Sequence, residues 1–144
     1  MSEAELRLIL SKYWGYDAFR PWQLEAIQSL HRRRDVLAVM STGSGKSILF
    51  QLLPVYLREN GIRSVAIIVS PLLSLMEDQI RSLTAMGVSA GMLGGDKTRE
   101  NEGKAVKGEF AVLYFTPEKL MNWRHGLEAL LQNAQVCCIA VDEW

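Results

Sequence analysis

Residues 40–47 read Met-Ser-Thr-Gly-Ser-Gly-Lys-Ser, and this run carries the most definite chemistry in the chain. Gly43 and Gly45 allow positive φ angles and a close backbone approach to an anion. The N–H groups of Thr42, Gly43, Ser44 and Gly45 would then turn inward, and the start of the next helix adds positive dipole. Lys46 is placed to reach β and γ phosphates, and Ser47 to set its hydroxyl on Mg²⁺. The strict pattern has glycine where this chain has Met40. The two retained glycines carry the turn. Far downstream, an apolar run from Cys138 to Val141 ends in Asp142 and Glu143. A strand ending in this way can deliver Asp142 beside the loop to hold Mg²⁺, usually through water. Glu143 would orient and deprotonate the attacking water.

These residues need a sheet to position them, and the sequence pattern supplies one. Short apolar runs alternate with longer amphipathic ones, the signature of an α/β domain with a parallel sheet and helices on both faces. Strands are expected over 36–40, 65–69, 111–115 and 136–141, with a weaker fifth over 88–93. Their near-continuous apolar character suits burial on both faces. Helices are expected over 2–12, 21–31, 46–58 and 72–86. In the last of these, Leu72, Leu75, Met76, Ile80, Leu83 and Met86 share one helical face. Ser70-Pro71 and Thr116-Pro117 each read as an N-cap followed by proline at the first helical position. Pro54 should kink its helix or shift its register. Residues 96–100 read as a solvated helix start. The division expected is 1–34, N-terminal helices, and 35–144, a nucleotide-binding lobe.

Bulk properties exclude several classes. The 144 residues are 49% hydrophobic and 22% charged, a globular balance, with 16 basic and 16 acidic side chains. Zero net charge gives no whole-chain signal for nucleic acid, so any such contact must be local. Arg32, Arg33 and Arg34 read as a solvated helix end. Cys137 and Cys138 are adjacent in a strand, so their side chains are expected on opposite faces, buried and unpaired. No zinc spacing occurs. His31 and His125 read as surface residues, and Trp14, Trp22 and Trp123 as packing. Apolar runs are too short to span a membrane, and the acidic start is unlike a leader peptide.

Several segments resemble the RecQ family of ATP-dependent DNA helicases, within superfamily 2. Tyr16, Phe19-Arg20-Pro21 and Gln23 resemble the family's adenine-reading element. There an aromatic stacks on the base while Arg and Gln contact it. The Gln amide offers a donor and an acceptor together. Residues 69–79 resemble the RecQ form of motif Ia, where a capped helix start touches the DNA backbone. Residues 114–120 resemble the motif Ib region. Asp142-Glu143 stands where the family has the Walker B motif of DEAH type; the family continues Ala-His, and this chain has Trp144. The resemblance runs from Tyr13 to Glu143.

The resemblance implies a RecA-like lobe with ATP and Mg²⁺ as cofactors. Lys46, Asp142 and Glu143 are implied as catalytic, Ser47 and Asp142 as metal-binding. Tyr16, Arg20, Gln23 and residues 42–47 would hold the nucleotide. Ser70, Pro71, Ser74 and Thr116 would face the backbone of single-stranded or forked DNA. It further implies 3′ to 5′ unwinding in repair and recombination, a nuclear setting, and a second lobe not found in these residues. Since the strand after Walker B inserts into related sheets, this chain alone is expected to bind ATP weakly and not to unwind. Competing readings are a non-catalytic nucleotide-binding fragment, a DEAD/DEAH-box RNA helicase lobe and a small-molecule kinase. The segments at Phe19-Arg20 and Ser70-Pro71 count against the kinase.

Overall fold

The computed structural model describes residues 1–38, 45–95 and 98–142. Ser2 opens helix α1 (Glu3–Ile9): its hydroxyl accepts from the Glu5 N–H while the Glu5 carboxylate accepts from the Ser2 N–H. One π-helical turn, Leu10–Trp14, continues α1 and stops at Gly15, whose φ of +75° is left-handed. Helix α2 (Pro21–His31) starts on proline as expected, because a first-turn residue has no N–H partner to lose.

The chain then alternates strand and helix: α3 (Ile48–Glu59), β1 (Ser64–Val69), α4 (Leu73–Ala85), β2 (Ala90–Leu93), α5 (Thr98–Val106), β3 (Val112–Phe115), α6 (Pro117–Met121), α7 (Arg124–Asn133) and β4 (Gln135–Val141). The four strands form one sheet in the order β2-β3-β1-β4, and every pairing is parallel. Side chains alternate across β1 and divide the core in two. Ala66 and Ile68 pack with α1, α2, α3 and α4 on one face. Val65 and Ile67 pack with Ala105, Trp123 and Leu130 on the other. The expected α/β architecture, with helices on both faces of a parallel sheet, is therefore present.

Helix α3 continues through Pro54. Proline removes the N–H that would bond the Phe50 carbonyl, yet every residue from Ile48 to Leu57 is buried, and that packing outweighs the lost bond. Ser70 does not cap α4: Leu72 holds the N-cap position, and the Ser70 hydroxyl instead accepts from the Leu72 N–H at 3.3 Å. Thr116 does cap α6, accepting from the Lys119 N–H.

No strand forms over 36–38, and Leu37 is 90% exposed. Val39 and Met40, the rest of that expected strand, lie outside the described residues. An extended segment with no neighbour to ladder against gains too little to persist. Among the described residues β4 pairs only with β1, so it is an edge strand and not one covered on both faces; Ile139 and Val141 are exposed. Trp123 is buried against Phe115, ring centroids 5.1 Å apart, and its indole N–H donates to Glu102. Trp14 and Trp22 pack on the core as expected. No described helix is long and apolar enough to cross a membrane.

Candidate functional site

Parallel strands end together, and here four of them align their C-terminal ends. Leu93 sits beside Phe115, Phe115 beside Val69, and Val69 beside Val141. The ladder continues one residue further. Ser70 N–H donates to the Phe115 carbonyl, Thr116 N–H to Leu93, and Asp142 N–H to Val69. Gly94, Thr116, Ser70 and Asp142 thus form one row at the edge where open α/β sheets bind ligands.

Asp142 meets Lys46 at this edge. Lys46 Nζ lies 3.3 Å from Asp142 Oδ1, with the lysine side chain 19% exposed and the aspartate 6%. Lys46 stands two residues before α3, and the Leu49 N–H donates back to its carbonyl. Ser47 is the N-cap residue of α3 and accepts backbone bonds from Phe50 and Gln51. The lysine ammonium, ahead of the first turn of α3, therefore lies beside the end of β4. Thr42, Gly43, Ser44 and Glu143 lie outside the described residues.

The upstream segment reaches the same loop. Gln23 is 5% exposed. Its amide oxygen accepts from the Arg20 N–H at 2.9 Å, and its amide nitrogen donates to the Gly45 carbonyl at 3.1 Å. Gly45 has φ +86°, and a Cβ there would lie 2.7 Å from Gln23 Nε2. Glycine is required at that position twice over, for its dihedral and for its lack of a side chain. The Arg20 guanidinium also lies beside Gly45, its Nη1 4.0 Å from where a Cβ would stand. Tyr16 is 57% exposed, next to the left-handed Gly15.

Pro71 and Ser74 are exposed at the start of α4, whereas Ser70 is buried. Thr116 is half-buried, and its hydroxyl and methyl occupy the space a Gly94 side chain would need. Sequence reasoning passed over Gly94, although a Gly-Gly pair at a strand end is a recognisable signal. It also missed a buried network that ties the elements behind the site. Gln51 of α3 donates to the Tyr114 hydroxyl of β3, which donates to Gln79 of α4 at 2.6 Å. Burial pushes the Tyr114 phenol well above its ordinary range, so the hydroxyl stays a donor.

A strand-end carboxylate paired with a half-buried lysine at the C-terminal edge of a parallel sheet marks an α/β domain with its site at the usual edge. The DEAD/DEAH box helicase family model matches residues 20–144, and the chain belongs to that family. It is 40% identical to the bifunctional 3′-5′ exonuclease/ATP-dependent helicase WRN of Mus musculus, over 93% of this chain and 9% of that protein. It is 35% identical to the ATP-dependent DNA helicase RecQ of Haemophilus influenzae, over 94% of this chain and 21% of that protein. A putative ATP-dependent RNA helicase of Acanthamoeba polyphaga mimivirus is 34% identical over 96% of this chain and 25% of its own length. The chain therefore spans a quarter or less of each of these relatives.

Proposed function

We propose that these residues are the nucleotide-binding part of an ATP-dependent, RecQ-like DNA helicase. The observation that carries this reading is the Lys46–Asp142 pair at 3.3 Å, at the mouth of a loop that Gln23 already touches. Lys46 would exchange Asp142 for phosphate oxygens when ATP enters, which frees the carboxylate. Thr42, Gly43, Ser44 and Gly45 would hold the phosphates by backbone N–H groups. Ser47 and Asp142 offer only oxygen donors, which suits Mg²⁺. Bound Mg²⁺ supplies charge neutralisation on the phosphate oxygens. Glu143 would take the proton of the attacking water. Tyr16 would stack on adenine while Arg20 and Gln23 read its edge.

Ser70, Pro71, Ser74 and Thr116 would meet the DNA backbone: Ser70 and Thr116 share a row with Asp142, and Pro71 and Ser74 follow at the exposed start of α4. Helix starts and hydroxyls suit phosphates, and such contacts position a strand without reading its sequence. Single-stranded or forked DNA, 3′ to 5′ movement, a second lobe, and roles in repair and recombination in the nucleus belong to this proposal. The 144-residue chain alone is proposed to bind ATP weakly and to leave duplexes intact. The exposed apolar edge of β4 and the share of the relatives it spans support this.

A second reading, an RNA helicase lobe, is favoured by the viral relative's name. ATP hydrolysis by the full-length protein, measured with single-stranded DNA, with RNA and with neither, separates the two. DNA stimulation that Lys46→Ala abolishes is the expected result. Stimulation by RNA alone transfers the proposal to the second reading, and hydrolysis insensitive to Lys46→Ala overturns both.

A further inference from the structure

The two cysteines are not placed as a regular strand would place them. The pairing of β4 with β1 shifts register: Val65 faces Val136, whereas Ala66 faces Cys138. Cys137 is the extra residue of a β-bulge. A regular strand sends successive side chains to opposite faces, and a bulge breaks that alternation. Val136 accordingly packs on the cluster of Val65 and Ile67, whereas Cys137 and Cys138 both pack on that of Ala66 and Ile68. This overturns the sequence expectation that they face apart.

The surroundings suit thiol chemistry. Both thiols are free and half-buried. Cys137 lines a cleft of about 150 Å³ together with Leu30, His31 and Arg33. Ser64 is fully buried, and its hydroxyl lacks a conventional hydrogen-bond partner. The neighbouring Cys138 thiol holds Cys137 below the usual thiol range against the opposing effect of burial. Cys138 is pushed up by its contact with Cys137 and by burial.

We propose that Cys137 and Cys138 form a dithiol site for a soft trivalent electrophile of the arsenic(III) class, held through both sulfurs at the bulge of β4. Thiolates select soft ions. With only two of them, and no group of three or more potential metal-binding side chains among the described residues, the site does not suit tetrahedral zinc. With an organic arsenoxide the reaction balances without any redox partner. Two S–H bonds break and two As–S bonds form. Both protons leave with the arsenoxide oxygen as one water, and arsenic stays trivalent.

The test uses the full chain, folded, with phenylarsine oxide as probe. Intact mass, free-thiol titration and far-UV dichroism are recorded together. The expected product is one adduct per chain with both thiols consumed and the dichroism kept, reversed by a small dithiol but not by a monothiol. Cys137→Ser and Cys138→Ser should each weaken binding at least about tenfold, because the second bond forms within one molecule. Adjacent cysteines in an unfolded chain can also chelate, so the rate is measured with and without urea. Reaction only in urea, one thiol left titratable, or a single variant that binds as tightly as the unaltered chain would each overturn the proposal.

Discussion

β1 and β4 are neighbours of similar apolar composition, paired in parallel over nearly their whole length, yet their environments differ. Every residue of β1 is buried. It has strands on both edges and a hydrophobic cluster on each face. Arg58 closes its entrance by donating to the carbonyls of Ser64, Gly108 and Phe110, a half-buried guanidinium spent on backbone acceptors. No residue of β4 is fully buried. What β4 has is its end, where Asp142 is drawn under the row of strand termini and onto Lys46. Burial follows from a strand's neighbours more than from its own residues, and a weakly packed strand can still bring a carboxylate onto a lysine.

The comparison can be broken by substitution. Ile67→Ala, at a 1% exposed position, should lower stability by about 2–4 kcal/mol. Ile139→Ala, at a 65% exposed position, should change it by less than about 0.5 kcal/mol. Urea denaturation of both variants checks this, and equal losses would dissolve the distinction. Asp142→Asn should reverse the ranking in function. ATP turnover by the full-length protein should fall on the order of 100-fold, while the urea midpoint moves less than for Ile67→Ala.

Tyr114→Phe sharpens the contrast on the buried side. It removes the hydroxyl between Gln51 and Gln79, both of which lose a bond, and should lower stability by about 1–2 kcal/mol. The smallest effect is at the surface. Tyr13, and then Lys12, hold the Glu59 carboxylate below its usual range. A depressed carboxylate contributes stability above its unfolded pKa and loses it as pH falls through the lower folded value. The gap between the native chain and Glu59→Gln should therefore be present at neutral pH, narrow below about pH 4, and shrink in high salt.

The sequence disclosed the elements whose signals are local. Pro21 marks the start of α2, Thr116-Pro117 the start of α6, and the apolar runs mark β1, β3 and β4. A glycine at 45 was legible as a turn that needs positive φ, and the acid at 142 as the end of an apolar run. What escaped notice depends on partners distant in sequence. The bulge at Cys137 exists only in register with β1, and the Gln51–Tyr114–Gln79 network joins three elements. Residues 36–38 carry a strand's composition but find no strand beside them. Helix α7 was overlooked, being an unmarked run with neither a capping side chain nor a first-turn acid. Ser70 has the type of a cap, but the chain turns once more before α4 begins.

The central claim is that the loop at Lys46 and the end of β4 together form one nucleotide site. Amide chemical shifts of the 144-residue chain, followed while Mg²⁺·ATP is added, test it most directly. Shifts should gather at Gly45, Lys46, Ser47 and Asp142, extend to Gln23, and vanish in Lys46→Ala. Shifts confined to another face, or unchanged by Lys46→Ala, would contradict it.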